Sequence, residues 1–81
     1  MSTFGDALKI LKSGGMVART NWNGKDMYLK IHQPPVYDII TFQYIVLKTA
    51  DESVVPWTAS QTDLLTDDWV RVYPDRKNTP I

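Results

Sequence analysis

The chain has 81 residues and no cysteine, and nine Lys and Arg balance nine Asp and Glu to give a formal net charge of zero. A chain of this length buries only about 60 to 65% of the surface that it exposes when unfolded, and neither a disulfide nor a thiolate metal site can add stability. The neutral balance argues against binding to nucleic acid polymers. No apolar run approaches the ~20 residues of a membrane span, and residues 1–15 lack the apolar core of a signal peptide. We therefore expect one cytosolic domain over residues 1–81.

The first predicted element is a helix from Thr3 to Ser13. Its apolar positions recur at the spacing of one helix face and are Phe4, Ala7, Leu8 and Leu11. Ser2 or Thr3 is the expected N-cap, and Asp6 suits the positive end of the helix dipole. The pair Gly14-Gly15 is expected to end the helix, because glycine adopts the left-handed C-cap conformation without steric cost.

A β-hairpin is predicted after this helix. Met16 to Arg19 is its first strand, Asn21 to Gly24 contains the Asn-Gly turn signal, and Met27 to Ile31 is the return strand. Alternation places Met27, Leu29 and Ile31 on one side of that strand. Residues 32–43 contain consecutive prolines and are predicted to form an irregular loop. The loop is so apolar that part of it should pack on a neighbouring element or another subunit.

The second half of the chain alternates strands with one short helix. Residues 44–49 and 54–57 are predicted as paired strands, and Pro56 places the second of them at a sheet edge, because proline cannot donate to a ladder. Residues 69–73 form the last strand, and the polar tail 75–81 should be frayed. The elements together predict an α+β fold: a small antiparallel sheet built from hairpins, with one helix at the N-terminus and one before the last strand.

The helix before the last strand has a clear start signal. Ser60 is the expected N-cap, and Asp63 three residues later can return the hydrogen bond in a variant of the capping box. Leu64 and Leu65 are expected to supply its apolar face. The acidic pair Asp67-Asp68 lies badly at the negative end of a helix dipole, so the helix should end within about two turns.

Catalysis finds little support in this sequence. The chain has one histidine, His32, which stands beside Pro34-Pro35 without an acidic neighbour and suits a surface or loop-packing role. The pair Asp67-Asp68 could bind Mg²⁺, although such a pair is more often solvated. We predict no catalytic residue, no metal site and no cofactor.

Two tryptophan segments favour binding. Trp22 lies in a polar turn, where its ring could form a platform for a nucleobase or could instead fold over the core. The stretch from Trp57 to Gln61 offers an indole, hydroxyls, an amide and the N–H groups of a helix start, which together could hold a sugar or phosphate. Asp63 opposes this second use, because it repels an anion and satisfies the helix end itself.

Several short elements, in order and spacing, resemble a known family. They include a Trp-Asn-Gly element and a Pro-Trp-x-x-Ser-Gln-x-Asp element, and they cover nearly the whole chain. The elements are Phe4-Gly5-Asp6-Ala7-Leu8 with Gly14-Gly15, Val17-Ala18-Arg19, Trp22-Asn23-Gly24, Tyr44-Ile45, Lys48-Thr49-Ala50-Asp51, Val55-Pro56-Trp57, Ser60-Gln61-Thr62-Asp63-Leu64-Leu65 and Asp68-Trp69. In them the chain resembles the second family of phage Thoeris anti-defence proteins.

The resemblance implies a sponge rather than an enzyme. Proteins of that family bind cyclic ADP-ribose isomers made by the bacterial TIR-domain sensor, in the cytoplasm of the infected host, and hold them intact. Some also bind cyclic dinucleotides. They assemble as homotetramers with the ligand between subunits. The alternatives are a phage enzyme that degrades a cyclic nucleotide signal, and a small structural or nucleic-acid-binding module, which the neutral charge disfavours.

A nucleotide ligand of this kind needs an aromatic face and a few hydrogen-bond donors near its phosphates. We predict Trp22 and Trp57 as stacking or wall residues. The predicted polar contacts are Asn23, Ser60 and Gln61, and the predicted phosphate partners are Arg19 and Lys48. The competing interpretation is that Trp57 and Ser60 serve only the fold.

Overall fold

The structure, a computed structural model, describes residues 2–22, 26–33 and 42–73. The described helices are α1 (Phe4–Lys12) and α2 (Gln61–Leu65). The strands are β1 (Met16–Arg19), β2 (Tyr28–His32), β3 (Tyr44–Lys48), β4 (Val54–Pro56) and β5 (Trp69–Val72). They form one five-stranded sheet in the order β4-β3-β2-β1-β5, and every neighbouring pair is antiparallel. The predicted α+β class and the positions of both helices are confirmed.

Helix α1 begins and ends on the predicted signals. Thr3 is the N-cap: its hydroxyl accepts from the Asp6 N–H at 3.3 Å, while its own N–H donates to the Asp6 carboxylate at 3.2 Å. Ser13 is the C-cap, and Gly14 follows it in the left-handed region with a φ of 94°. A side chain with a Cβ is strained at that φ, which explains why a glycine follows the C-cap.

The face of the sheet that packs against α1 carries the hydrophobic core. Val17 of β1 pairs with Leu29 of β2, and Leu29 pairs with Leu47 of β3, so these three residues share a face. Val17 and Leu29 are completely buried and cluster with Ala7 and Leu11 of α1. Helix α1 therefore packs its apolar face on the middle of the sheet.

The return strand and the edge strand follow the predicted pattern closely. Strand β2 covers Tyr28–His32, one residue later than expected, and its Leu29 and Ile31 pack on the core side as predicted. Strand β4 lies at the sheet edge and ends at Pro56, as predicted from the missing N–H. The backbone N–H of Trp57 still donates to the Ile45 carbonyl at 3.0 Å.

The expectation for the apolar face of α2 is wrong. Leu64 is 46% exposed and Leu65 is 82% exposed, whereas Asp63 is only 9% exposed. A helix of five residues presents little more than one turn to its neighbours, and here the inward position is occupied by the carboxylate. The helix is attached to the domain through polar contacts of Asp63, which are described below.

Three of the predictions concern residues that the structure does not describe. The Asn-Gly hairpin tip at residues 23–25, most of the proline loop at 34–41 and the frayed tail at 75–81 lie outside the described residues. Phe42, at the end of the loop, is described and is 83% exposed.

Gly5 within α1 and Gly14 just after it give a test of the capping geometry. Replacing Gly14 by Ala should destabilise the protein by about 1–2 kcal/mol, the cost of a left-handed conformation for an L-residue. Gly5 lies inside the exposed first turn of α1, and a Cβ there would meet only the Thr3 hydroxyl at 3.5 Å. Gly5→Ala should therefore stabilise by roughly 0.5–1 kcal/mol through helix propensity. Urea unfolding followed by circular dichroism measures both, and shifts of the same sign would contradict the assignment.

Candidate functional site

Three tryptophans and one phenylalanine meet beside the start of β5. We call Phe4, Trp22, Trp57 and Trp69 the tryptophan cluster. Trp69 is 1% exposed and lies at its centre, with ring centroids 5.4 Å from Phe4, 5.6 Å from Trp22 and 6.0 Å from Trp57. The three contacts are edge-to-face, a favourable arrangement of aromatic quadrupoles. Trp22 and Trp57 are half-buried, so part of each indole remains accessible.

The central indole is tied to α2 by a hydrogen bond. The Trp69 ring N–H donates to the backbone carbonyl of Asp63 at 2.9 Å. A buried indole N–H without an acceptor would cost free energy, so this bond fixes both the orientation of the ring and the position of the helix. At the other end of the cluster, Phe4 of α1 lies 5.8 Å from Trp57 between ring centroids. The cluster thus joins the two helices to the sheet.

A charged network lies directly beside these rings. The Arg19 guanidinium contacts the Asp63 carboxylate through Nη1 at 2.9 Å and the Asp68 carboxylate through Nε at 2.9 Å. The side chains of Arg19, Asp63 and Asp68 are 10%, 13% and 16% exposed, respectively. The Thr66 hydroxyl also donates to Asp68 at 3.0 Å. We call Arg19, Asp63 and Asp68 the Arg19 network; it has one more negative than positive charge.

The network shifts the pKa values of its members. The Asp68 hydrogen bond, followed by that of Asp63, raises the pKa of Arg19 above its ordinary value. The Arg19 hydrogen bond lowers the pKa of Asp68. Burial raises the pKa of Asp63, but hydrogen bonds from the Ser60 backbone N–H and from Arg19 outweigh it, so the net shift is downward. All three groups are held in their charged forms at neutral pH.

The structure brings together most of the predicted site residues around the cluster. Trp22 and Trp57 both contact the edge or face of Trp69. Ser60 is the N-cap of α2: its hydroxyl accepts from the Asp63 N–H at 3.1 Å, and its N–H donates to the Asp63 carboxylate at 2.9 Å. Gln61 is the first residue of α2 and is exposed. The predicted capping box of α2 is confirmed. Trp57 packs on Phe4 and Trp69, which is a structural role, and it is also half-buried rather than fully enclosed.

The two predicted phosphate partners occupy different environments. Arg19 is beside the cluster, but its donors already contact two carboxylates. Lys48 pairs with Tyr28 across β2 and β3, on the face of the sheet opposite to Leu29. There its ammonium contacts Glu52 at 2.9 Å and lies 5.6 Å from the Tyr28 ring centroid. Lys48 is therefore not brought to the cluster, and Asn23 lies outside the described residues.

Sequence reasoning missed the centre of this site. Trp69 was predicted only as the first residue of a strand, and Asp68 only as part of a helix-terminal acidic pair. The contacts from Arg19 to Asp63 and Asp68 span 44 and 49 positions along the chain. No local spacing reports such contacts. The one local signal is the capping box, which placed Asp63 at the start of α2 but not its bond to Arg19.

Two further findings concern the described residues as a group. Within residues 2–22, 26–33 and 42–73, no three metal-ligating side chains approach closely enough to hold an ion. Neither of the two described helices has the length and apolar character needed to cross a membrane.

Comparison with known proteins gives one family. Residues 2–72 match the model of the Thoeris anti-defense 2-like domain. The chain is also 37% identical, over 84 aligned positions, to a protein of Bacillus phage SP01 named Thoeris anti-defense 2. That alignment covers 83% of this chain and 90% of the phage protein.

The Arg19 network predicts a stability that depends on pH. The folded pKa values of Asp63 and Asp68 lie below the ordinary value of 3.8, so the stabilisation is complete above that value and is lost as the pH falls through the folded values. Asp68→Asn should lower the urea midpoint at pH 7, and its difference from the parent should narrow below about pH 4. Asp67→Asn is the matched control, because Asp67 is exposed and makes no ion pair with a described residue. A difference in urea midpoint between Asp68→Asn and the parent that stays constant down to about pH 2.5 would contradict the assignment.

Proposed function

The chain belongs to the Thoeris anti-defense 2-like family, and we propose that it binds and sequesters glycocyclic ADP-ribose, a cyclic ADP-ribose isomer made by a bacterial TIR-domain sensor. The ligand is held without cleavage, so the Thoeris effector is not activated. The protein acts in the cytoplasm of the infected host and also takes cyclic dinucleotides of related signalling systems. In this proposal it is a phage protein of immune evasion.

The observation that carries the proposal is the tryptophan cluster. Trp22 and Trp57 are held against a buried Trp69 in defined orientations, while part of each indole stays accessible. A purine stacks well on such a ring. The exposed side chains of Ser60 and Gln61 at the start of α2 stand next in sequence to this surface and supply polar contacts. Because the rings are fixed by the fold, little side-chain entropy is lost when a ligand binds.

The alternative function is an enzyme that degrades a cyclic nucleotide signal. A general base must be able to accept a proton near neutral pH. The two carboxylates beside the cluster, Asp63 and Asp68, have lowered pKa values and are bonded to Arg19. They are therefore poor proton acceptors, and this geometry supports binding over cleavage.

We also propose that the protein works as a homotetramer with ligand between subunits. Large apolar side chains remain on the surface of the described residues in several places. They are Phe42, Tyr44, Val54, Val55, Leu64, Leu65, Val70 and Tyr73. Exposed apolar patches of this kind are typical of association surfaces. The exposed leucines of α2 lie within a few residues of Ser60, which agrees with a site that a second subunit completes.

Sequestration predicts that the ligand is recovered unchanged. Glycocyclic ADP-ribose is incubated with the protein until free ligand is depleted, the protein is denatured by heat, and the supernatant is analysed by liquid chromatography and mass spectrometry. Intact ligand should return in an amount equal to that depleted. A sample heated without protein is the control for thermal breakdown. Recovery of linear ADP-ribose only in the presence of the protein would establish the enzyme instead.

The tryptophan platform predicts a loss of affinity on removal of one ring. Trp22→Ala should weaken the binding of glycocyclic ADP-ribose by ~1 to 3 kcal/mol, or about 5 to 150-fold, as measured by calorimetry. Tyr28→Ala is the matched control: Tyr28 is a half-buried aromatic outside the tryptophan cluster, on the face of the sheet opposite to Leu29, where its ring centroid lies 5.6 Å from the Lys48 ammonium. Its affinity should equal that of the parent.

Trp22 also packs on Trp69, so the variant needs two checks. Circular dichroism reports the fold, and light scattering reports the oligomeric state of both variants. A folded tetramer of Trp22→Ala with the affinity of the parent would remove Trp22 from the site. A parent protein that is monomeric at micromolar concentration would refute the proposed assembly.

A further inference from the structure

The Arg19 network and the tryptophan cluster meet at one turn of the chain. The N–H of Trp22 donates to the Arg19 carbonyl at 3.2 Å, and the N–H of Thr20 donates to the Asp68 carbonyl at 3.0 Å. The Asp68 carboxylate also accepts the backbone N–H of Asn21, the residue before Trp22. Since consecutive Cα atoms are about 3.8 Å apart, the charges lie roughly 10 Å from a ligand stacked on Trp22, close to the Debye length at ~0.1 M salt.

The network carries an excess negative charge. Two carboxylates face one guanidinium, and none of the three side chains is more than 16% exposed. All three guanidinium nitrogens of Arg19 already lie within 3.5 Å of a carboxylate oxygen. A phosphate would have to compete with these carboxylates for Arg19. The network therefore repels an anion that approaches the cluster.

The other described cations lie away from the cluster. Lys30 and Lys48 are on the face of the sheet opposite to Leu29. The Arg71 side chain lies near the opposite end of β1 from the Trp22 turn, because a Cβ on Gly15 would be only 3.2 Å from its Nη2. The two lysines of α1 belong to its last turn, whereas the helix contributes its first residue to the cluster. Within the described part of the chain, no second cation balances the network.

The cluster offers neutral donors in place of cations. The indole N–H of Trp69 is bonded to Asp63, but those of Trp22 and Trp57 donate to no residue in the described ranges. Both N–H groups reach the surface, because the described residues contain no buried side-chain nitrogen or oxygen without a partner. The exposed amide of Gln61 is a third neutral donor. Such groups can bind ribose hydroxyls and base nitrogens without any charge on the ligand.

We propose that the Arg19 network makes the nucleotide site selective against anionic charge. This inference rests on the proposed function and concerns the same site. The cluster binds the base and the ribose of a nucleotide, and the phosphates are turned away from the network. A phosphate diester carries one negative charge, whereas a terminal monoester carries about −1.5 to −2 at pH 7. Nucleotides such as AMP and ATP are therefore disfavoured, and they do not fill the site in place of a cyclic signal.

The test compares adenosine, AMP and ATP, which share base and ribose and differ in charge. Each is titrated as a competitor of glycocyclic ADP-ribose and followed by calorimetry. In the parent, affinity should fall about threefold or more at each step from adenosine to AMP to ATP. In Asp68→Asn, whose network is neutral, the three affinities should agree within about threefold. Asp67→Asn is the matched control, since it removes the same charge from an exposed residue without an ion pair in the described ranges, and it should keep the order of the parent.

A second measurement needs no variant and decides the question if Asp68→Asn does not fold or if none of the three competes. Raising NaCl from about 20 to about 300 mM screens the network. The affinity of the parent for glycocyclic ADP-ribose should then rise by about twofold. Light scattering at both salt concentrations verifies that the oligomeric state is unchanged. A fall in affinity with salt, the sign of a cation that contacts the phosphates, would overturn the inference.

The contrary results differ from those that oppose sequestration. AMP or ATP binding more tightly than adenosine would overturn the charge selectivity and leave sequestration intact. An equal effect of Asp67→Asn and Asp68→Asn would assign the selectivity to the general surface charge and would also overturn the role of the network. Absence of any binding of glycocyclic ADP-ribose to the parent would instead refute the proposed function, and this inference with it.

Discussion

The buried carboxylate of Asp63 is the constraint on which the arrangement of this domain depends. A carboxylate on a side chain that is only 13% exposed costs much free energy unless it is paired and hydrogen-bonded. Asp63 meets that requirement through Arg19 of β1 and through Ser60 at the start of its own helix. Its backbone carbonyl accepts the Trp69 indole N–H of β5. One residue thus links α2 to two neighbouring strands, although the leucines of that helix remain exposed.

The same links hold the aromatic surface in place. Because Trp69 is oriented by Asp63, the rings of Trp22 and Trp57 pack on an indole that cannot rotate freely. The accessible parts of these two rings are therefore fixed by the fold rather than by a ligand. A platform that is ordered in advance suits tight binding more than it suits proton transfer, for which the nearby carboxylates are already engaged. The fold and the proposed function depend on the same few contacts.

Local signals in the sequence predicted much of the fold. Both helix starts, the glycine stop after α1 and the edge position of Pro56 follow from the chemistry of single residues and their near neighbours. The features that the sequence did not reveal depend on contacts between distant residues. They are the pairing of Arg19 with two distant carboxylates, the central position of Trp69 in the tryptophan cluster, and the burial of Asp63 rather than a leucine on the inner side of α2. Leu64 and Leu65 were expected to supply the apolar face of α2, but apolar side chains alone do not tell which side of a short helix meets the domain.

The position of β5 bears on how the chain folds. Strand β5 is the last of the described strands along the chain, yet it pairs with β1, the first of them, and the Trp69 N–H also donates to the backbone carbonyl of Ser2. Such a pairing must overcome the entropy of closing a long loop, so it forms more slowly than a hairpin. Until β5 docks, β1 has an unpaired edge and Arg19 lacks its two carboxylates. The closing of the sheet edge and the completion of the Arg19 network therefore depend on the same late contact.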